Sequence, residues 1–155
     1  MISNVLSEPQ AMESETPARS PNRVWMASNH ALTTRNEIML ADCAACDQIV
    51  LEADRIDELM TGVCSRHRLK PRVILRNSSL EAVRSQVGAS AGIAVLPDIL
   101  YGPWTLDAEH VEVRALRDEI PTIDAGPVGC RGSGLKPAAS EFLELPREAS
   151  RTLRP

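Results

Sequence analysis

Apolar residues in this chain change period several times, and each change marks an element. Residues 23–27 (RVWMA) form a short apolar run of strand length, and residues 48–53 form a second. Beyond them Ile56, Leu59, Met60 and Val63 recur at helical spacing, with Asp54 placed to cap that helix. Val73, Ile74 and Leu75 make another strand-length run within 71–76. Asn77, Ser78 and Ser79 then suit a helix start. Ser78 with Glu81 makes a capping box, and Leu80, Val83 and Val87 lie on one helical face. Gly88 sits where this helix should stop, and Gly92 leads into a buried strand of Ile93, Ala94, Val95 and Leu96.

The remainder is less regular. Gly102 and Pro103 make 98–110 a loop. Val111, Val113 and Ala115 alternate with Glu112 and Arg114, as expected of an edge strand exposed on one side. Residues 121–125 predict one more strand. Pro137 suits the first turn of a last helix that turns Phe142 and Leu145 inward. Residues 1–22 carry Ser, Glu, Pro and Thr without apolar periodicity and are expected to be disordered, as is the tail 149–155. Strands alternating with helices put the fold in the α/β class.

The segment 71–97 carries the clearest chemical expectation. A strand, helix and strand in that order favour parallel pairing of the two strands. In open parallel sheets a ligand sits beyond the carboxyl ends of the strands, and a helix amino end offers backbone N–H groups to an anion. Asn77, Ser78, Ser79 and Pro97 are therefore the candidate ligand-binding residues.

Composition removes several other classes. The chain has 155 residues and a net charge of −4, so it has no overall attraction for DNA or acidic membranes, and no direct DNA contact is expected. With two Trp, one Tyr and one Phe it offers few stacking platforms for single-stranded nucleic acid. No apolar run approaches the ~20 residues that span a bilayer. The start also lacks the basic and apolar stretches of a secretion signal, which makes the cytoplasm the expected location.

Cysteine spacing raises a rival reading. Cys43 and Cys46 form a C-x-x-C pair, and Cys64 with His67 forms a C-x-x-H pair, a spacing near that of small zinc modules. Against it, the intervening residues read as a strand and a regular helix, and neither pair has a nearby glycine to form a tight knuckle. Buried, inert thiols explain the cysteines better, and no metal or other cofactor is expected. A redox motif would begin a helix after a strand, whereas Cys43 and Cys46 precede one. Catalysis would have to pair Cys64 or Cys130 with His30, His67 or His110, and nothing in the spacing unites them. Glu141, Glu144 and Glu148 suit a solvated helix face, and no phosphate-cradling glycine loop occurs. No enzyme is expected.

The segment SLEAVRSQVGASAGIAVLPDILYGPW resembles the effector-binding domain of LysR-type transcriptional regulators. Upstream, NHALTTRNEIMLADCAACDQIVLEA is similar to the opening of the second regulatory subdomain of that family. Downstream, VEVRALRDEIPTIDAG resembles the crossing back to the first subdomain, and SGLKPAASEFLELPRE its C-terminal helix. The likeness runs from about Arg23 to Glu148, and nothing before Arg23 resembles a winged helix-turn-helix or its linker helix.

The resemblance implies a C-terminal fragment of such a regulator with a partial periplasmic-binding-protein-like fold. One βαβ subdomain would be joined by the returning strand and helix of an incomplete second one. It also implies a small effector, an organic anion or aromatic metabolite, held between subdomains. Ser78 and Ser79 would donate to the effector, and Asn77 and Pro97 would shape the wall. The implied partners are the effector and other copies, whether of this chain or of intact LysR-type regulators. Pro127, Gly126, Gly129 and Pro146 depart from the family pattern where the returning strand and helix should lie, as do Asp47 and Gln48 at the first strand. These departures predict marginal docking of the returning elements.

Overall fold

The computed structural model describes residues 12–14, 18–53, 56–125 and 128–130. They divide into two units, one of residues 21–123 and one built from both chain ends, up to Ser20 and from Asp124.

The larger unit is a layered α/β structure. Its strands are β3 (Asn22–Ala27), β4 (Glu37–Ile38), β5 (Asp47–Leu51), β6 (Arg72–Asn77), β7 (Ala94–Pro97) and β8 (Val111–Leu116), and its helices are α1 (Leu40–Ala44), α2 (Ile56–Arg66) and α3 (Leu80–Gly88). β3 pairs antiparallel with both β7 and β8, and β4 adds to β8 in parallel. β5 pairs in parallel with β6, and a parallel bridge from Gln48 to Ile93 joins β5 to the start of β7. That bridge is a pair of bonds, Ile49 N–H to Ile93 O at 2.8 Å and Ile93 N–H to Asp47 O at 2.9 Å. The strand order is thus β6-β5-β7-β3-β8-β4.

This order corrects two expectations. β6 and β7 run in the same direction but do not pair, because β5 lies between them. β8 is not an edge strand, since β3 and β4 flank it. The short strand Glu37–Ile38 takes the edge position, and a pair of residues that brief leaves no periodicity to read.

Alternation of side chains across the sheet builds two cores. Trp25, Ala94, Leu96, Ile49, Leu51 and Val111 pack with Val83 and Val87 of α3 on one face. Val24, Met26, Ile93, Val95 and Ile38 pack with Cys43 of α1 and Met60 of α2 on the other. Gly92 permits the close approach of β7 to β5, because a Cβ there would lie 2.7 Å from Asp47 O. Asp47 and Gln48, polar at a strand start, are both engaged. Asp47 pairs with Arg72, and Gln48 Nε2 donates to Cys43 O at 2.9 Å.

Helix ends also differ from expectation. Gly88 is the last residue of α3, and the left-handed C′ position falls to Ser90 at φ 62°. Ala91 N–H reaches Gln86 O and Ser90 N–H reaches Val87 O, the paired bonds of a Schellman motif. α2 ends in the same way, with Arg68 at φ 55°, Leu69 N–H on Cys64 O and Arg68 N–H on Ser65 O. Both positions favour glycine, which neither holds.

The smaller unit contains strands at both chain ends. β1 (Met12–Ser14) pairs antiparallel with β10 (Val128–Cys130), and β2 (Ala18–Ser20) pairs with β9 (Ile123–Ala125). Expected disorder through residue 22 therefore fails at 12–14 and 18–20. A partner strand from the far end of the chain supplies the order that local composition does not. Gly129 sits within β10, opposite Glu13. Asp54, Gly126, Pro127, Pro137, Phe142, Pro146, the three glutamates of the last helix and the tail lie outside the described residues.

Candidate functional site

The carboxyl ends of β5, β6 and β7 lie along one edge of the sheet because the three strands run in one direction. At about 4.8 Å per strand, the ends of β6 and β7 stand ~10 Å apart with β5 between them. Asn77 closes β6, its carbonyl accepts from Glu52 N–H at 2.9 Å, and its Oδ1 accepts from Ser79 N–H at 2.8 Å. That side-chain turn directs the chain into α3.

Ser79, not Ser78, caps this helix: its Oγ accepts from Ala82 N–H at 3.3 Å. The expected box between Ser78 and Glu81 is therefore absent, and Glu81 pairs with Arg84. A one-residue shift arises because the Asn77 turn spends Ser78 in reaching the axis. Val83 N–H bonds Ser79 O, so only the N–H groups of Leu80 and Glu81 lack an acceptor within the helix. Ser78 and Ser79 are exposed, and Asn77 is half-buried. Pro97, at the end of β7, is fully buried, so the accessible rim there begins at Asp98.

Arg84 braces this rim from below. Its guanidinium pairs with Glu81, donates to Leu100 O at 3.1 Å and lies 5.9 Å from the Trp25 ring centre. Tyr101 stacks edge-on against Trp25 and donates its hydroxyl to Val111 O at 2.8 Å. Burial, followed by Glu112 and Asp98, pushes the Tyr101 hydroxyl above its ordinary range, so it remains a donor. Sequence spacing shows only the Glu81 partner of Arg84, because its other contacts come from the segment after β7 and from β3.

Cys43 and Cys64 behave as core residues, and Cys46 is half-buried. Cys43 is buried and its thiol is pushed up to about 12, chiefly by burial and then by Cys46 and Asp42. Burial also raises the thiols of Cys46 and Cys64. All three are free thiols. Among the described residues no group of three or more His, Cys, Asp or Glu side chains could hold a metal ion, so Cys43, Cys46, Cys64 and His67 do not form the zinc site of the rival reading. His30 Nδ1 caps a short 3-10 turn by accepting from Leu32 N–H, and His110 packs edge-on against Trp104. His67 instead lines an opening of about 430 Å³ with Arg66, Glu119, Ile120 and Pro121, far apart in sequence and not foreseen as a group. Side chains of β10, Cys130 included, are outside the description. Among the described residues no helix is long and apolar enough to cross a membrane.

Three comparisons place the molecule. No curated protein matches the chain. Solved structures do. HinK, a LysR family transcriptional regulator from Pseudomonas aeruginosa, superposes with a TM-score of 0.84 at 18% identity, over 96% of this chain and 51% of that one. The effector binding domain of QuiR in complex with shikimate gives 0.71 at 18% identity, over 97% and 70%. The Synechocystis PCC6803 CcmR regulatory domain in complex with 2-PG gives 0.75 at 17% identity, over 94% and 71%. The chain thus spans about half the length of HinK. Identities this low establish the α/β fold of a LysR regulatory domain. The family itself is established by sequence: residues 3–151 match the LysR substrate binding domain, and the chain belongs to that family.

Proposed function

We propose that this chain senses a small effector, an organic anion or aromatic metabolite, at the amino tip of α3. The observation that carries the reading is the position of that tip. It lies at the carboxyl edge of parallel β5, β6 and β7, with the N–H groups of Leu80 and Glu81 free of helical acceptors. Ser78 and Ser79 would donate hydroxyl protons to the ligand and Asn77 its amide. Pro97 would hold the wall from beneath. Membership of the LysR substrate binding domain family supports this reading, as do the shikimate and 2-PG complexes of QuiR and CcmR.

An effector acts by preferring one of two conformations, so binding here would bias an equilibrium and no bond would be made or broken in the ligand. We place the sensing domain over 23–148, in the cytoplasm, without enzymatic activity. It would associate with copies of itself or with intact LysR-type regulators and make no direct DNA contact. Thermal denaturation with shikimate, benzoate and citrate tests the site. An anion that stabilises the wild type should lose its effect in Ser79→Asp, which keeps a good N-cap but adds a repelling charge. A full shift in that variant overturns the assignment.

A further inference from the structure

We propose that the opening beside the carboxyl end of α2 is a second ligand site, and that it takes an apolar α-amino acid as its zwitterion. The inference is independent of the α3 tip. Arg66, His67, Glu119, Ile120 and Pro121 line a space of about 430 Å³, within the range of small-molecule pockets. Arg66 and Glu119 carry opposite charges on this one opening, yet among the described residues neither has an ion-pair partner, whereas Arg72 and Arg76 of β6 are both paired. Opposite charges that share an opening without meeting leave room for a molecule that carries both signs.

The chemistry of each wall fits one end of such a molecule. Arg66 and His67, both on the lining, can supply donors to a carboxylate. The Glu119 carboxylate accepts from an ammonium group. Ile120 and Pro121 offer the apolar surface on which a side chain would lie. Near the end of α2, Val63 O, Cys64 O and Ser65 O are taken by His67, Leu69 and Arg68 N–H, so these three carbonyls compete little for the ammonium.

Both walls are held in place before any ligand arrives. The Schellman turn after Arg66 fixes one, with Arg68 kept at φ 55°. On the other, buried Asn22 donates to Pro121 O at 3.0 Å, Arg117 N–H bonds Ile38 O, and Asp118 Oδ2 accepts from Leu40 N–H at 2.6 Å. The backbone of the site needs little ordering, and the cost that remains is that of fixing the exposed Arg66 and Glu119 side chains.

Calorimetric titration of the full chain with L-leucine tests the proposal, with isopentylamine and 4-methylpentanoate as the analogues that lack one charge each. Leucine should bind, and each analogue should bind at least about tenfold more weakly, the loss of one charged hydrogen-bonded contact. Glu119→Gln should weaken leucine by a similar factor while leaving 4-methylpentanoate unchanged or tighter. Arg66→Met should do the reverse with the amine. Both side chains are exposed, so the variants should melt as the wild type does. Ser79→Asp should leave leucine binding untouched, which separates this site from the α3 tip. No binding of leucine, methionine or phenylalanine at millimolar concentration overturns the proposal. So does leucine binding that survives both charge variants, or that Ser79→Asp abolishes.

Discussion

The two longer helices on the sheet, α3 and α2, are anchored differently. On the α3 face, Val83 and Val87 are fully enclosed against Trp25, Leu96 and Val111. The same helix is fastened at its start by Ser79, at its side by Arg84 and at its end by a Schellman turn. In α2, Val63 is enclosed but Met60 is only half-buried, and a small space of about 20 Å³ remains beside it among Ile49, Leu51, Val95 and Leu96. The helix whose tip carries the proposed effector groups is thus the more rigidly anchored. A helix tip can read a ligand only if its N–H groups stay in place when the ligand leaves.

The sharpest way to break this contrast is to truncate one side chain on each helix. Val83→Ala should cost about 2 kcal/mol, since the aliphatic groups removed are completely enclosed. Met60→Ala should cost only about 1 kcal/mol, because a half-exposed chain beside existing space loses fewer contacts. Urea denaturation measures both, and equal losses would contradict the contrast.

Alkaline stability sharpens the same comparison through Cys43, which belongs to the α1 and α2 face. Its thiol titrates at about 12 in the fold, against an ordinary value of 9.0. The folded state therefore keeps a proton that the unfolded chain releases. Below pH 9 the thiol is neutral in both states and contributes no pH dependence. From pH 9 toward 12 stability should fall by on the order of 1 kcal/mol per pH unit. Denaturation curves over that range should be visibly flatter for Cys43→Ala than for the wild type. Identical slopes would show that the thiol is not held neutral by burial.

The smallest expected effect is a gain. Arg68 occupies the left-handed C′ position of α2 at φ 55°, where a side chain is strained and glycine is not. Arg68→Gly should raise stability by a few tenths to about 1 kcal/mol, read as a higher melting temperature. Unchanged or lower stability would mean that the Arg68 side chain makes a compensating contact.

Much of the larger unit was legible in the chain itself. Strands at Trp25, at Ile49, at Leu75 and at Val95 announce themselves by apolar runs, and α2 and α3 by helical spacing. Their order in the sheet was not legible, because nothing local to Val73 or Val95 records that β5 will lie between them. The cap of α3 was misplaced by one residue, since the Asn77 side-chain bond to Ser79 N–H depends on the backbone path out of β6. Gly88 read as a stop signal but serves inside the helix, packed against Thr105 and Glu109, while Ser90 takes the strained turn. Strands at Met12–Ser14 and Ala18–Ser20 escaped notice because their partners lie beyond residue 122. Of the candidate site, Asn77, Ser78 and Ser79 were recoverable from their position between a strand and a helix. Arg84 and the sharing of one opening by Arg66 and Glu119 were not, since only the fold brings them to their neighbours.

The most direct test of the account is a titration of the isotopically labelled chain with shikimate and benzoate, followed by backbone amide resonances. If the amino tip of α3 is the sensing site, the largest displacements fall on Ser79, Leu80 and Glu81, and Ser79→Asp removes them. Displacements that leave these three amides unmoved while others shift would contradict the account.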